Sequence, residues 1–331
     1  MLLRVFRGTG PGVFLLIVIT LGLFWISAFF DPQLPGSYLY ETRPMPLYIL
    51  VKYLVGAKPW SGVIFSFLIL AFLLFLISHF NTSHFFINER TFLPVIIYTV
   101  FTGIFPRMQT LNPVLPAALF LMLAQMRIMD SYRKQGTAFN FFDAGILLSI
   151  GSLFYANLIF FGIILFVGIA MLRTVSIKEI AISVLGLLTP YIIITGIYYV
   201  LGRDIGILMD DIKENLFGSS GAYNFERIIV IMLIYLALIL FFSLGYLSTQ
   251  LNSKKIVSRK TFYLLFWVFG LSLVLYFISP AVSVEIAWLA GIPACYFMAN
   301  YFVFVKKRIL PEVLFTGLYL LALLIQILWI F

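Results

Sequence analysis

Apolar residues run almost unbroken along this chain, and polar residues gather in short clusters between hydrophobic runs of 15 to 23 positions. A membrane-crossing helix needs about 20 such residues, because each adds about 1.5 Å across a hydrocarbon core of about 30 Å. Eleven segments meet or approach that length: residues 12–30, 61–80, 91–105, 113–129, 138–154, 157–172, 179–201, 228–249, 261–278, 284–305 and 309–331. The pattern predicts an all-α polytopic transmembrane bundle of about eleven spans, forming a single transmembrane domain over residues 1–331.

Two stretches between the runs have a different rhythm. Residues 46–56 form a run too short to span, with Tyr48, Tyr53 and the nearby Trp60 suited to headgroup level and Lys52 placed to snorkel. In residues 202–227, Leu208, Ile212 and Leu216 recur every four positions. Both predict short amphipathic helices on the outer surface. The second places Asp210, Asp211 and Glu214 on a solvated face, so a divalent cation there has no support.

Composition sharpens the class. With 63% hydrophobic and 11% charged residues, the chain is excluded from the water-soluble globules, in which about a quarter of residues are charged. The net charge of +9 is accounted for by basic loops facing anionic lipid, so no nucleic-acid partner is inferred. With the N-terminus cytoplasmic, 15 of the 22 Lys and Arg residues fall on the inner side, as the positive-inside bias requires. Merging residues 138–172 into one span would reverse that bias, so two short spans are expected there. Arg4 and Arg7 ahead of an apolar run resemble a secretory signal, but Ser27-Ala28-Phe29 is a poor cleavage site and the first span reads as uncleaved. The single sequon, Asn81-Thr82-Ser83, falls on the inner side and points toward a bacterial inner membrane.

Candidate chemistry is sparse. Asp31 emerges from the first span and Glu41 follows in the same outer loop, where either carboxylate can serve as a general base. Arg43, Lys58 and Arg107 are placed to neutralise a lipid phosphate, the arginines with two hydrogen bonds at once. Pro94, Pro106, Pro113 and Pro116 break the third and fourth spans, and irregular backbone at membrane depth is tolerated where it is covered by protein or lines a cavity. Gln109 and Asn112 are the polar groups of that junction and the candidate cavity residues. His79, His84 and the lone Cys295 give no metal-ligand spacing, and Asn88, Glu89, Arg90, Arg127, Asp130 and Asp143 read as an inner pairing network. Neither metal nor cofactor is predicted. Nucleotide-binding loops, hydrolase elbows and metalloprotease motifs are all missing from the sequence.

An acid just after the first span, an outer loop continuing into a surface helix, and the short, closely spaced spans of residues 113–172 together resemble the polytopic glycosyltransferases of the C superfamily. The likeness covers residues 1–175 as a glycosyltransferase-like core, with 176–331 as additional spans, and the chain is also similar to an uncharacterised bacterial integral-membrane family. The resemblance implies transfer of a sugar from a polyprenyl-phosphate donor at the outer leaflet, with inversion and with Asp31 as base. Residues 105–113 carry no acid where many members have one, and no D-x-D occurs. The alternative expectation is a non-catalytic membrane subunit or scaffold of a cell-envelope assembly, with a protein partner, and a transporter comes third.

Overall fold

The computed structural model describes residues 2–8, 10–34, 43–132, 138–172, 176–219, 223, 225–305 and 309–330. Fifteen α-helices follow one another, and no strand occurs among the described residues. They are α1 (Leu2–Phe6), α2 (Pro11–Phe24), α3 (Ile26–Phe30), α4 (Pro46–Val55), α5 (Pro59–His84), α6 (Leu93–Gly103), α7 (Val114–Asp130) and α8 (Ala138–Ser152). Then come α9 (Ile163–Leu172), α10 (Ile177–Val200), α11 (Ile205–Phe217), α12 (Arg227–Gln250), α13 (Ile256–Ile278), α14 (Ile286–Phe304) and α15 (Ile309–Ile330).

Local chemistry sets the boundaries. Pro11, Pro46 and Pro59 open α2, α4 and α5, where a missing N–H leaves no intrahelical bond unmade. At the end of α5, Phe85 takes a left-handed conformation with φ 46° and donates its N–H to the Asn81 carbonyl at 2.8 Å. Asp204 caps α11 by accepting the Gly206 N–H at 2.7 Å.

Among the described residues, six helices are long and apolar enough to cross a membrane: α5, α10, α12, α13, α14 and α15. The other five places in the expected count hold shorter pieces. The first is broken into α2 and α3, α6 has 11 residues, α7 has 17, α8 has 15, and α9 has 10 preceded by a 3-10 segment, Ala156–Gly162. At about 1.5 Å per residue, α6 covers only about 16 Å. Helix length alone therefore supports six crossings rather than eleven. The expected division of residues 138–172 is present, with a turn at 153–155 between α8 and the 3-10 segment. The two segments expected to form short amphipathic helices are helical, as α4 and α11.

Helix α14 is the axis of the bundle, packed against α6, α7, α12 and α13, with 94% of its apolar window buried. Residues from both halves of the sequence thus share one core. Helix α10 is peripheral and lies against α8. Their contact is close because both surfaces carry glycine: a Cβ on Gly186 would come 2.4 Å from the Phe142 carbonyl, and one on Gly145 would come 2.9 Å from that of Ser183.

Candidate functional site

The break between α2 and α3 has an identifiable cause, although neither proline nor glycine stands at Trp25. Gln109, from the irregular stretch after α6, donates its Nε2 protons to the carbonyls of Phe24 at 2.7 Å and Thr102 at 3.0 Å. A side chain inserted into the carbonyl ladder ends one helix and lets the next restart at a new angle. The Trp25 indole N–H reaches Thr102 Oγ1 at 3.3 Å, and Ser27 Oγ donates to Gln326 Oε1 at 2.7 Å and Gln109 Oε1 at 3.3 Å. Gln326 Nε2 in turn donates to the Gly103 carbonyl at 2.7 Å. One buried amide network therefore ties α2, α3, α6 and α15 together and fixes where Asp31 leaves the bundle.

Side chains of neighbouring elements bond the irregular stretch between α6 and α7. Ser66 Oγ donates to the Thr110 carbonyl at 2.8 Å, and Tyr48 Oη from α4 donates to that of Leu111 at 3.0 Å. Asn112 Oδ1 accepts the Val114 N–H at 2.8 Å and so caps α7. This protein-covered, non-helical backbone exposes one polar face to a cleft of about 450 Å³. Asp31, Gln33, Arg107, Gln109, Glu226 and Trp329 contribute to its walls.

Asp31, at the end of α3, donates its backbone N–H to the Ser27 carbonyl at 3.0 Å, and its Oδ2 accepts from Gln33 Nε2 at 2.6 Å. Arg107 faces the same space from the 3-10 turn Pro106–Met108. Its guanidinium lies 5.3 Å from the centroid of the Trp329 ring, and Nη2 is 3.4 Å from Glu226 Oε1. Burial pushes the nearby Tyr223 phenol upward, with Arg107 opposing and Glu226 adding to the shift. The cleft thus offers a carboxylate on one wall, a guanidinium on another, and an indole that matches the amphipathic surface of a membrane interface.

The remaining sequence candidates lie elsewhere. Arg43 is clasped on α11, donating Nη1 to Asp211 Oδ1 at 2.8 Å and pairing Nε with Glu214 Oε2 at 2.9 Å. The hydrogen bond to Asp211, then the charge of Glu214, raises its pKa further. Asn215 Nδ2 donates to the Arg43 carbonyl at 2.7 Å, so Arg43 is held on α11 instead of lining the cleft. Asn112 and Lys58 do not line the cleft: the first is buried as a cap, and the second is the exposed residue before α5. Glu41 lies outside the described residues. His84 Nε2 is 3.6 Å from Asp130 Oδ1, and His79 stacks on Phe75. Among the described residues no group of three metal-ligating side chains occurs.

Sequence reasoning missed Glu226 and Trp329. Glu226 is 119 residues from Arg107 and Trp329 is 222, so no local spacing links them. The available signal was their shared side: each stands at the outer end of an expected span, as Arg107 does.

Residues 46–330 match the model of a family of unknown function (DUF6427), and the chain belongs to that family. Neither a curated protein nor a solved structure matches it.

Proposed function

We propose that this member of the DUF6427 family is a membrane-embedded glycosyltransferase-like protein that engages a polyprenyl-phosphate-linked sugar at the outer leaflet. The observation that carries the reading is the cleft that brings Asp31 and Arg107 together beside Trp329. In this arrangement Asp31 takes the proton of the acceptor hydroxyl as its oxygen attacks the anomeric carbon. The bond from that carbon to the phosphate oxygen breaks, and the polyprenyl phosphate leaves carrying the negative charge. Arg107 stabilises that charge as it grows, which is where electrostatic help lowers the barrier.

The reading includes eleven passes, with the shorter helices completing the bundle around α14, a cytoplasmic N-terminus and a place in a bacterial inner membrane. It is supported by the distribution of cations and by how the charges pair. Arg7 with Glu89 and His84 with Asp130 join residues assigned to the inner side, whereas Arg43 with Asp211 and Arg107 with Glu226 join residues assigned to the outer side. A non-catalytic subunit of an envelope assembly is the second reading, favoured by α10, whose apolar window is only 17% buried and leaves a broad face for another chain.

The test is Asp31→Asn at normal expression, with surface glycans and lipid-linked sugars analysed. A transferase accumulates the lipid-linked donor and loses a surface glycan, whereas an unchanged profile overturns the assignment. Stoichiometric co-purification of another protein, with that unchanged profile, would favour the second reading.

A further inference from the structure

At the opposite end of the bundle, the turn between α12 and α13 holds an ammonium with too few acceptors. Lys254 Nζ donates to Asn300 Oδ1 at 2.8 Å and lies 5.2 Å and 4.9 Å from the ring centroids of Phe262 and Phe304. Among the described residues no carboxylate lies within ion-pairing distance of it. Asn300 is fully buried, and among the described residues its Nδ2 has no acceptor. The pair therefore presents a surplus of donors and a net positive charge. Desolvation lowers the Lys254 ammonium to about 8, a penalty that an adjacent anion would reverse. Lys255 and Arg259 follow at the start of α13, whose first turn has no side-chain cap.

An apolar groove of about 260 Å³ lies further along α13, between Phe266 and Val274. Phe262 and Phe266 both stack on Phe297, with centroids 6.4 Å and 4.7 Å away, so the ring beneath Lys254 is continuous with the groove wall. Phe266, Trp267, Leu271 and Val274 form the sides, and Gly270 leaves the floor open, since a Cβ there would meet nothing within 4 Å. From Ile256, at the start of α13, to Gly270 the helix rises about 21 Å, comparable to the reach of a headgroup and an acyl chain within one leaflet.

We propose that this turn and the adjoining face of α13 bind an anionic phospholipid, with its phosphate on Lys254 and an acyl chain over Gly270. The turn joins two spans, so it sits at headgroup depth, where an uncompensated cation meets lipid phosphate. The groove favours a lipid over a free anion, because it gives the hydrocarbon tail a seat that inorganic phosphate does not need. The site is separate from the Asp31 cleft and independent of any activity there.

The test compares the full-length protein with Lys254→Gln and Gly270→Leu, each taken from vesicles of phosphatidylcholine and phosphatidylglycerol in equal parts, with retained lipid measured by native mass spectrometry. The unaltered protein is expected to retain phosphatidylglycerol about tenfold over phosphatidylcholine, the ratio set by one charge-assisted contact. Lys254→Gln abolishes that preference while still holding lipid, and Gly270→Leu reduces retention of both lipids. Melting in lipid-free detergent checks that the variants remain folded. An undiminished preference in Lys254→Gln overturns the proposal. So does stabilisation by inorganic phosphate equal to that by phosphatidylglycerol, which would mark a simple anion site.

Discussion

Replacing Gln109 with methionine keeps the volume of the side chain and removes every hydrogen bond it makes. Two buried carbonyls, Phe24 at 2.7 Å and Thr102 at 3.0 Å, would lose their donor, while Ser27 keeps Gln326 as acceptor. A stranded buried carbonyl costs about 1–3 kcal/mol in water-soluble proteins, and hydrogen bonds within membrane bundles average about 0.6 kcal/mol. With two carbonyls stranded, the expected loss for Gln109→Met therefore lies between about 1 and about 6 kcal/mol. Gln326→Met strands one well-made carbonyl partner, Gly103, and should cost about half as much. Reversible unfolding by a denaturing detergent, followed by circular dichroism, measures both. The comparison is sharper than either value, because background effects of the micelle cancel. If Gln109→Met destabilises by less than about 0.5 kcal/mol, or by no more than Gln326→Met, then Gln109 does not hold the break between α2 and α3, and the account of how Asp31 is positioned fails.

Glu226→Gln removes the carboxylate that competes for Arg107. The partners are 3.4 Å apart and about half-exposed, so the pair is worth at most about 1 kcal/mol, and binding of a short-chain polyprenyl phosphate, measured by calorimetry, should tighten by up to about fivefold; weaker binding would mean that Glu226 orients Arg107 instead. Glu285 is fully buried, and Tyr155 Oη and the Ser283 N–H donate to its carboxyl. Glu285→Leu strands both donors and should cost about 1–3 kcal/mol in detergent unfolding, and an unchanged stability would refute that role.

Much of this architecture was legible along the chain. The apolar runs announced the helices, the four-residue spacing of Leu208, Ile212 and Leu216 announced α11, and the prolines announced the irregular stretch after α6. Helical periodicity and proline geometry are local properties, carried by neighbouring residues. The broken first helix was not legible, because its cause is Gln109, 85 residues away from the carbonyl it captures. The partners of Arg43 were equally hidden: it looked like a free cation near the membrane surface, and Asp211 and Glu214 occupy it.

The sequence by itself determined an all-helical membrane protein, since 63% apolar residues in long runs have no other solvent than lipid. It also put Asp31 and Arg107 at the ends of separate hydrophobic segments. Only the tertiary structure decided that those two residues share a cleft, that Glu226 and Trp329 complete it, and that Asn112 caps a helix behind it. The physical reason is range. Hydrophobic length and backbone preference act within a few residues, whereas a binding site is made where helix packing around α14 brings distant segments together.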